Sequence, residues 1–191
     1  MSEGIKTIDD LFELPDDARA ELIEGEIRYK PLPSADHSFA QSNIVSCLSP
    51  FFQKVTGVEG GGRPSGWWIG TEIHVVYPGR PNGFLHDLAG WRRDRHTQKP
   101  TGKKITARPD WVCEILSSNR SNDLVRKTRV LHEHRVEHYW TLDLRDEILN
   151  VMRWVEGGYV TVLQAQKGER HRLEPFADLE FSISRLMGED E

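Results

Sequence analysis

At 191 residues with 37% hydrophobic, 29% charged and 9% aromatic side chains, the chain has the composition of one water-soluble globular domain spanning 1–191, which excludes disordered and collagen-like architectures. Twenty-five Lys and Arg against 30 Asp and Glu give a net charge of -5, so the surface as a whole does not advertise constitutive binding to a polyanion. No apolar run approaches the roughly 20 residues of a spanning helix, and the N-terminus has neither a basic nor an apolar leader region, so the expected location is the cytoplasm, with no membrane partner.

In chain order, Thr7 to Asp10 reads as a capped short helix ending near Leu14 and Pro15. Glu21 to Ile23 and Glu26 to Tyr29 flank Glu24-Gly25 as a tight hairpin, closed by Pro31 and Pro33. From Ser34, apolar residues at Phe39, Ile44, Val45, Leu48, Phe51, Phe52 and Val55 recur at helical spacing, with Pro50 interrupting them. Beyond the Gly60-Gly61-Gly62 turn the period becomes two, with Ile73, Val75 and Tyr77 as a strand and Pro78 to Gly83 as a turn. Leu85 to Trp91 and Trp111 to Leu116 are two more strands. Leu124, Thr128 and Leu131, led by a cap at Ser121, mark a second long helix, and Tyr139 to Leu142 a buried strand. Ile148 to Trp154 and Tyr159 to Leu163 form a terminal hairpin about Glu156-Gly157-Gly158. This order predicts an α/β domain with a mixed sheet flanked by helices, an N-terminal hairpin and a C-terminal β-meander.

Two acids stand inside apolar strands, Asp87 and Glu114. Burying a lone carboxylate is costly, so each needs a partner, a cap or a cation, and a hydrolytic metal site needs oxygen ligands held this way. Lys127, on the helix after the Glu114 strand, can reach back over the strand end, where α/β proteins build sites. The stretch from Arg92 to Arg108 gathers Arg92, Arg93, Lys103 and Lys104 among its basic residues against the single acid Asp94. There is no nucleophile elbow, no P-loop and no dinucleotide fingerprint. His132 and His134 are two apart, wrong for shared ligation from one helical face, which leaves His37 and His86 as the histidines nearest the chemistry. Cys47 and Cys113 are too few for a disulfide framework, and Cys113 points away from the Glu114 face of a regular strand.

Five ordered blocks, Glu21 to Glu26, Pro33 to His37, Asp87 to Arg93, Pro109 to Ser117 and Glu137 to Asp143, resemble the Uma-two family of restriction endonuclease-like proteins, within the PD-(D/E)xK superfamily, over about residues 14–186. The resemblance implies that Asp87 and Glu114 are metal-binding acids, joined by the backbone carbonyl of Ile115, and that the cation is Mg²⁺ or Mn²⁺. His86 stands where the superfamily usually has Pro, and Leu116 where it usually has Lys; Lys127 matches the lysine that Uma-two members carry on the following helix. Glu26, with Glu21 as the second choice, is expected to add a hairpin carboxylate, and His37 falls where the family also has a histidine. The implied activity is hydrolysis of nucleic acid phosphodiesters, DNA first, with Arg92, Arg93, Lys103 and Lys104 on the backbone and a homodimer as an open option. The alternatives are a weakly active or inactive nucleic-acid-binding or assembly protein on the same fold, and a metal-dependent hydrolase of smaller phosphoesters.

Overall fold

The computed structural model describes residues 4–15, 17–52, 66–116 and 122–189. The expected Gly60-Gly61-Gly62 turn, Val55, the Ser121 cap and the loop from Ser117 to Arg120 lie outside the described residues.

Helix α1, Ile8–Phe12, is closed by a reciprocal capping box between Thr7 and Asp10. Strands β1, Ala20–Ile23, and β2, Glu26–Tyr29, pair antiparallel across Glu24 and Gly25, both at positive φ (51° and 84°), the backbone a two-residue type I′ turn demands. Helix α2, Ala35–Leu48, starts at Ser34, whose hydroxyl accepts the His37 N–H. It buries His37, Ala40, Ile44 and Leu48 and leaves Phe39 62% exposed, so the inward stripe is shifted by one residue from the expected one at its start. Pro50 sits in a single 3₁₀ turn, Ser49–Phe51, and ends the helix rather than kinking it.

The strands that follow are longer than the alternation suggests: β3 is Trp67–Tyr77 and β4 is Asn82–Arg92. Then come β5, Trp111–Leu116, α3, Asn122–Glu133, β6, His138–Asp143, β7, Ile148–Val155, and β8, Gly158–Gln166. A small ribbon of β9, Arg170–Arg172, with β10, Glu180–Ser182, and a last turn α4, Ile183–Leu186, complete the fold; three-residue strands carry too little periodicity to be read from sequence.

Among the described residues, eight strands form one mixed sheet ordered β2-β1-β4-β5-β6-β7-β8, with β3 pairing β4 off this path and β5-β6 as its parallel pair. One face packs α2 against Leu88, Trp111, Cys113 and Trp140, together with Phe176 from the chain end. The other packs α3, through Val130 and Leu131, on Phe84, Val112 and Tyr139. This is the mixed α/β architecture expected from the sequence. No helix among the described residues is long and apolar enough to cross a membrane.

The topology around β4 positions everything that follows. β3 pairs with β4 from Trp67 opposite Arg92 to Tyr77 opposite Asn82, with only Glu72 and Asp87 left out of the register, and so occupies one edge. The other edge is shared: β1 meets it at Gly83, and β5 joins it only at Leu88 to Gly90. Between them, residues 84–87 have no strand partner on that side among the described residues.

Candidate active site

Backbone polar groups in an opened sheet must find partners other than a ladder. Here side chains supply them. The Leu85 N–H donates to Glu21 Oε1 at 3.0 Å and its carbonyl accepts from Lys30 Nζ at 2.9 Å. Where β4 and β5 part, the Ile115 N–H donates to Asp87 Oδ2 at 2.8 Å, so a carboxylate stands in for the missing rung. The side-chain alternation also slips here: Phe84 packs with the α3 face, Leu88 with the α2 face, and Ala89 with the α3 face again. Opposite this slip, Glu72 holds φ at 51° and drops out of the β3-β4 register.

Asp87 and Glu114 converge on one ammonium. Lys30 Nζ lies 2.8 Å from Asp87 Oδ1 and 3.8 Å from Glu114 Oε2. Glu114 Oε1 is 2.6 Å from His86 Nδ1 and 3.1 Å from Lys127 Nζ, and Lys127 also donates to Glu21 Oε1 at 2.9 Å. A carboxylate only accepts, so His86 carries its proton on Nδ1 and its Nε2 accepts from the Tyr77 hydroxyl at 2.8 Å. Burial pushes the His86 pKa down, which keeps the ring neutral in this chain of hydrogen bonds.

The two acids differ electrostatically. Burial opposes ionisation of Glu114, but Lys127 and Lys30 outweigh it and hold this carboxyl well below the usual range. Burial and the neighbouring Glu114 push Asp87 the other way, above the ordinary carboxylate value, against the pull of Lys30. Burial alone would neutralise Lys127; Glu114 and Glu21 hold it charged, with a pKa well above that of a free lysine. Burial likewise opposes the charge on Lys30, and Glu114, Asp87 and Glu21 outweigh it. Cys113 is buried, and burial drives its thiol pKa up, so it is no nucleophile.

A cleft of about 140 Å³ opens onto this cluster, lined by Arg19, Lys30, His37, Asp87, Glu114 and Lys127 among others. Beyond Asp87, Gln41 Nε2 donates to both the Asp87 carbonyl (2.8 Å) and Glu72 Oε1 (3.2 Å), and Arg19 pairs with Glu72 at 2.6 Å. His37 Nε2 is 3.6 Å from Asp87 Oδ1.

Of the residues singled out from sequence, Asp87, Glu114, Lys127, Ile115, His37 and Glu21 meet in this cleft. Glu26 does not: it is exposed on β2 and tied to Arg28 (2.6 Å) and Arg126 (3.2 Å). The buried hairpin carboxylate is Glu21, because it stands on β1, the strand next to β4, whereas Glu26 points to the same face from the outer strand β2. Arg92, Arg93, Lys103 and Lys104 do not line the cleft. Arg92 is paired with Asp94, the Arg93 guanidinium stacks 3.5 Å over Trp68, and Lys104 pairs with Asp9. Lys103 lines a separate cavity of about 620 Å³ between α1 and the 99–105 segment. Sequence reasoning missed Lys30, Glu72 and Arg19, which sit in stretches that read as exposed strand or loop, and Gln41, a polar residue of the helix that begins at Ser34.

The profile of the Uma2 family, described as "Putative restriction endonuclease", matches residues 8–185. The chain belongs to the Uma2 family. Among solved structures it is similar to "a putative nuclease belonging to DUF820" from Anabaena variabilis ATCC 29413, with a TM-score of 0.71, 22% identity, and coverage of 95% of this chain and 97% of that one. That likeness establishes a shared fold. No curated protein matches the chain.

Proposed function

We propose that this Uma2 protein is a divalent-cation-dependent endonuclease that hydrolyses phosphodiester bonds of DNA. The family description and the description of its structural neighbour both name nucleases. The observation that carries the proposal is the convergence of two buried carboxylates from different strands, Asp87 and Glu114, on one positive charge at the break in the sheet.

The donor set fits Mg²⁺ or Mn²⁺. Carboxylate oxygens are the hard ligands these ions take, and the Lys30 ammonium marks a point where a cation is stabilised by both acids. A strand residue's N–H and C=O leave on the same side, so the Ile115 carbonyl faces the same gap as its N–H, which is bound to Asp87. When bound, such a cation supplies Lewis-acid polarisation of the phosphate and a lowered pKa for water. The chain's own groups do the rest. Glu21 and Glu114 take two donors of Lys127, leaving a third N–H for a water or a phosphate oxygen. His86, fixed by Tyr77, orients Glu114 from behind. Lys30 and Arg19 present positive charge at the cleft mouth, where the anionic backbone must enter.

The test is cleavage of plasmid DNA with and without Mg²⁺ by the wild type and Asp87→Asn, with RNA and a small chromogenic phosphodiester as parallel substrates. Mg²⁺-dependent nicking that disappears in the variant is expected. Binding without cleavage by the wild type would replace this proposal with a non-catalytic DNA-binding protein, and preference for the small diester with a hydrolase of other phosphoesters.

A further inference from the structure

A second constellation shares Asp87. His37 of α2, Glu72 of β3 and Asp87 of β4 each offer one ligand atom, and these atoms all lie within 4.8 Å of one another. The His37 side chain is 91% buried, yet its Nε2 has no hydrogen-bond partner among the described residues. A buried imidazole nitrogen without a partner is costly. It is 3.6 Å from Asp87 Oδ1, too far for a hydrogen bond and suited to an ion between the two. Gln41 braces both acids from one amide, binding the Asp87 carbonyl and Glu72 Oε1, as groups behind metal ligands do. Glu72 takes up this place only by adopting the left-handed backbone at φ 51° in mid-strand, a conformation that persists where surrounding structure enforces it.

We propose that His37, Glu72 and Asp87 form a second cation site, distinct from the one between Asp87 and Glu114, with Asp87 shared between them. Its ligand class differs. The position between Asp87 and Glu114 is all oxygen and suits Mg²⁺, whereas one imidazole nitrogen with two carboxylates suits a borderline transition ion such as Mn²⁺. The cleft thus holds two cations of unlike hardness, Mn²⁺ filling both positions and Mg²⁺ only the all-oxygen one. Arg19 and Lys30 neutralise the same carboxylates when the ions are away. This inference rests on the reading of the cleft as a divalent-cation site.

Calorimetric titration of the full chain with MnCl₂ and with MgCl₂, together with pulsed EPR of the Mn²⁺-loaded protein, tests it without reference to cleavage. The wild type is expected to bind two Mn²⁺ but one Mg²⁺, and its EPR to show coupling to a directly bound imidazole ¹⁴N. His37→Gln should bind one Mn²⁺, lose the ¹⁴N coupling and keep its Mg²⁺ isotherm. Glu72→Gln, which leaves the α2 packing alone, should also bind one Mn²⁺. Glu114→Gln should keep the ¹⁴N coupling and lose Mg²⁺ binding. Unchanged Mn²⁺ stoichiometry and ¹⁴N coupling in both His37→Gln and Glu72→Gln overturn the second site. An unchanged Mg²⁺ isotherm in Glu114→Gln instead overturns the nuclease reading of the first.

Discussion

Strand β4 carries charge at two places, and they behave oppositely. Around Asp87 the sheet is open on one edge, the charges are buried, and every acid faces a lysine or an arginine from a distant part of the chain. Around Arg92 the strand keeps its β3 partner Trp67, the basic side chains reach toward the surface, and Arg92 neutralises its near neighbour Asp94. Coulomb interactions are several times stronger in the first setting than in the second, because less water lies between the charges. The sequence advertises the second region, as a dense basic run, and nearly conceals the first, as single acids in apolar strands. Density of charge along the chain is therefore a poor guide to where charge matters; the cost of burying it is a better one.

If that contrast is right, the largest effects belong to the two strand acids. Altering a group behind a metal ligand already costs about 10- to 100-fold. Asp87→Asn and Glu114→Gln, which remove ligands themselves, should therefore lower Mg²⁺-dependent cleavage by more than about a hundredfold, read as single-turnover nicking of plasmid DNA. Asp87→Asn should nonetheless fold. Ionisation of Asp87 is opposed in the folded state, so in the absence of divalent ions it subtracts stability above the ordinary carboxylate range and ceases to do so once pH falls below it. In EDTA, Asp87→Asn should melt at or above the wild-type temperature near neutral pH, with the difference vanishing near about pH 3. Added Mg²⁺ should reverse the order by stabilising only the wild type. A variant that melts far below wild type in EDTA would show that Asp87 is a structural partner of Lys30 first.

Next in size is Lys127→Met. It leaves Glu21 and Glu114 buried without their shared cation, and breaking a buried pair from one side costs about 3–5 kcal/mol, measurable by urea denaturation. Turnover below the melting range should fall while DNA affinity changes little, because Lys127 is buried inside the cleft, where it serves the reacting groups more than the rest of the DNA backbone. Full turnover would reduce Lys127 to a counter-ion for the two glutamates.

The elements that sequence conveyed well are those with caps or sustained periodicity: α1 through Thr7 and Asp10, the β1-β2 hairpin through Glu24-Gly25, and the β7-β8 hairpin through its glycines. Asp87 and Glu114 stood out because an ionised group in an apolar strand needs a reason. Their meeting was not legible, since it depends on β5 joining β4 only from Leu88 onward and on a slip in alternation at Asp87 itself. Lys30 was invisible for a related reason. It follows a strand that is largely exposed, and its inward reach to Leu85 and Asp87 is created by the open edge of β4 rather than by any local pattern. Glu21 and Glu26 share one face of the hairpin, and what separates them, β1 joining β4 while β2 is left at the edge, is not written in the hairpin's own sequence.

The smallest expected effect concerns the basic stretch, and it is where the contrast can be sharpened most. Neutralising Arg92, Arg93, Lys103 and Lys104 together removes exposed pairs such as Arg92 with Asp94 and Lys104 with Asp9, each worth about 0.2–1 kcal/mol at most. The melting curve should therefore move little. These residues do not line the cleft, so turnover at saturating DNA should also stay near wild type. What can change is the electrostatic part of binding. Each duplex phosphate that the protein ceases to neutralise flattens the log-log dependence of affinity on salt by about 0.9, a quantity independent of how well the acids work. If all four side chains meet phosphates, the slope flattens by about 3.6. An unaltered slope would assign DNA positioning to Arg19 and Lys30 at the cleft mouth, and the corresponding measurement on Arg19→Gln, whose partner Glu72 stays in place through Gln41, should then show the flattening.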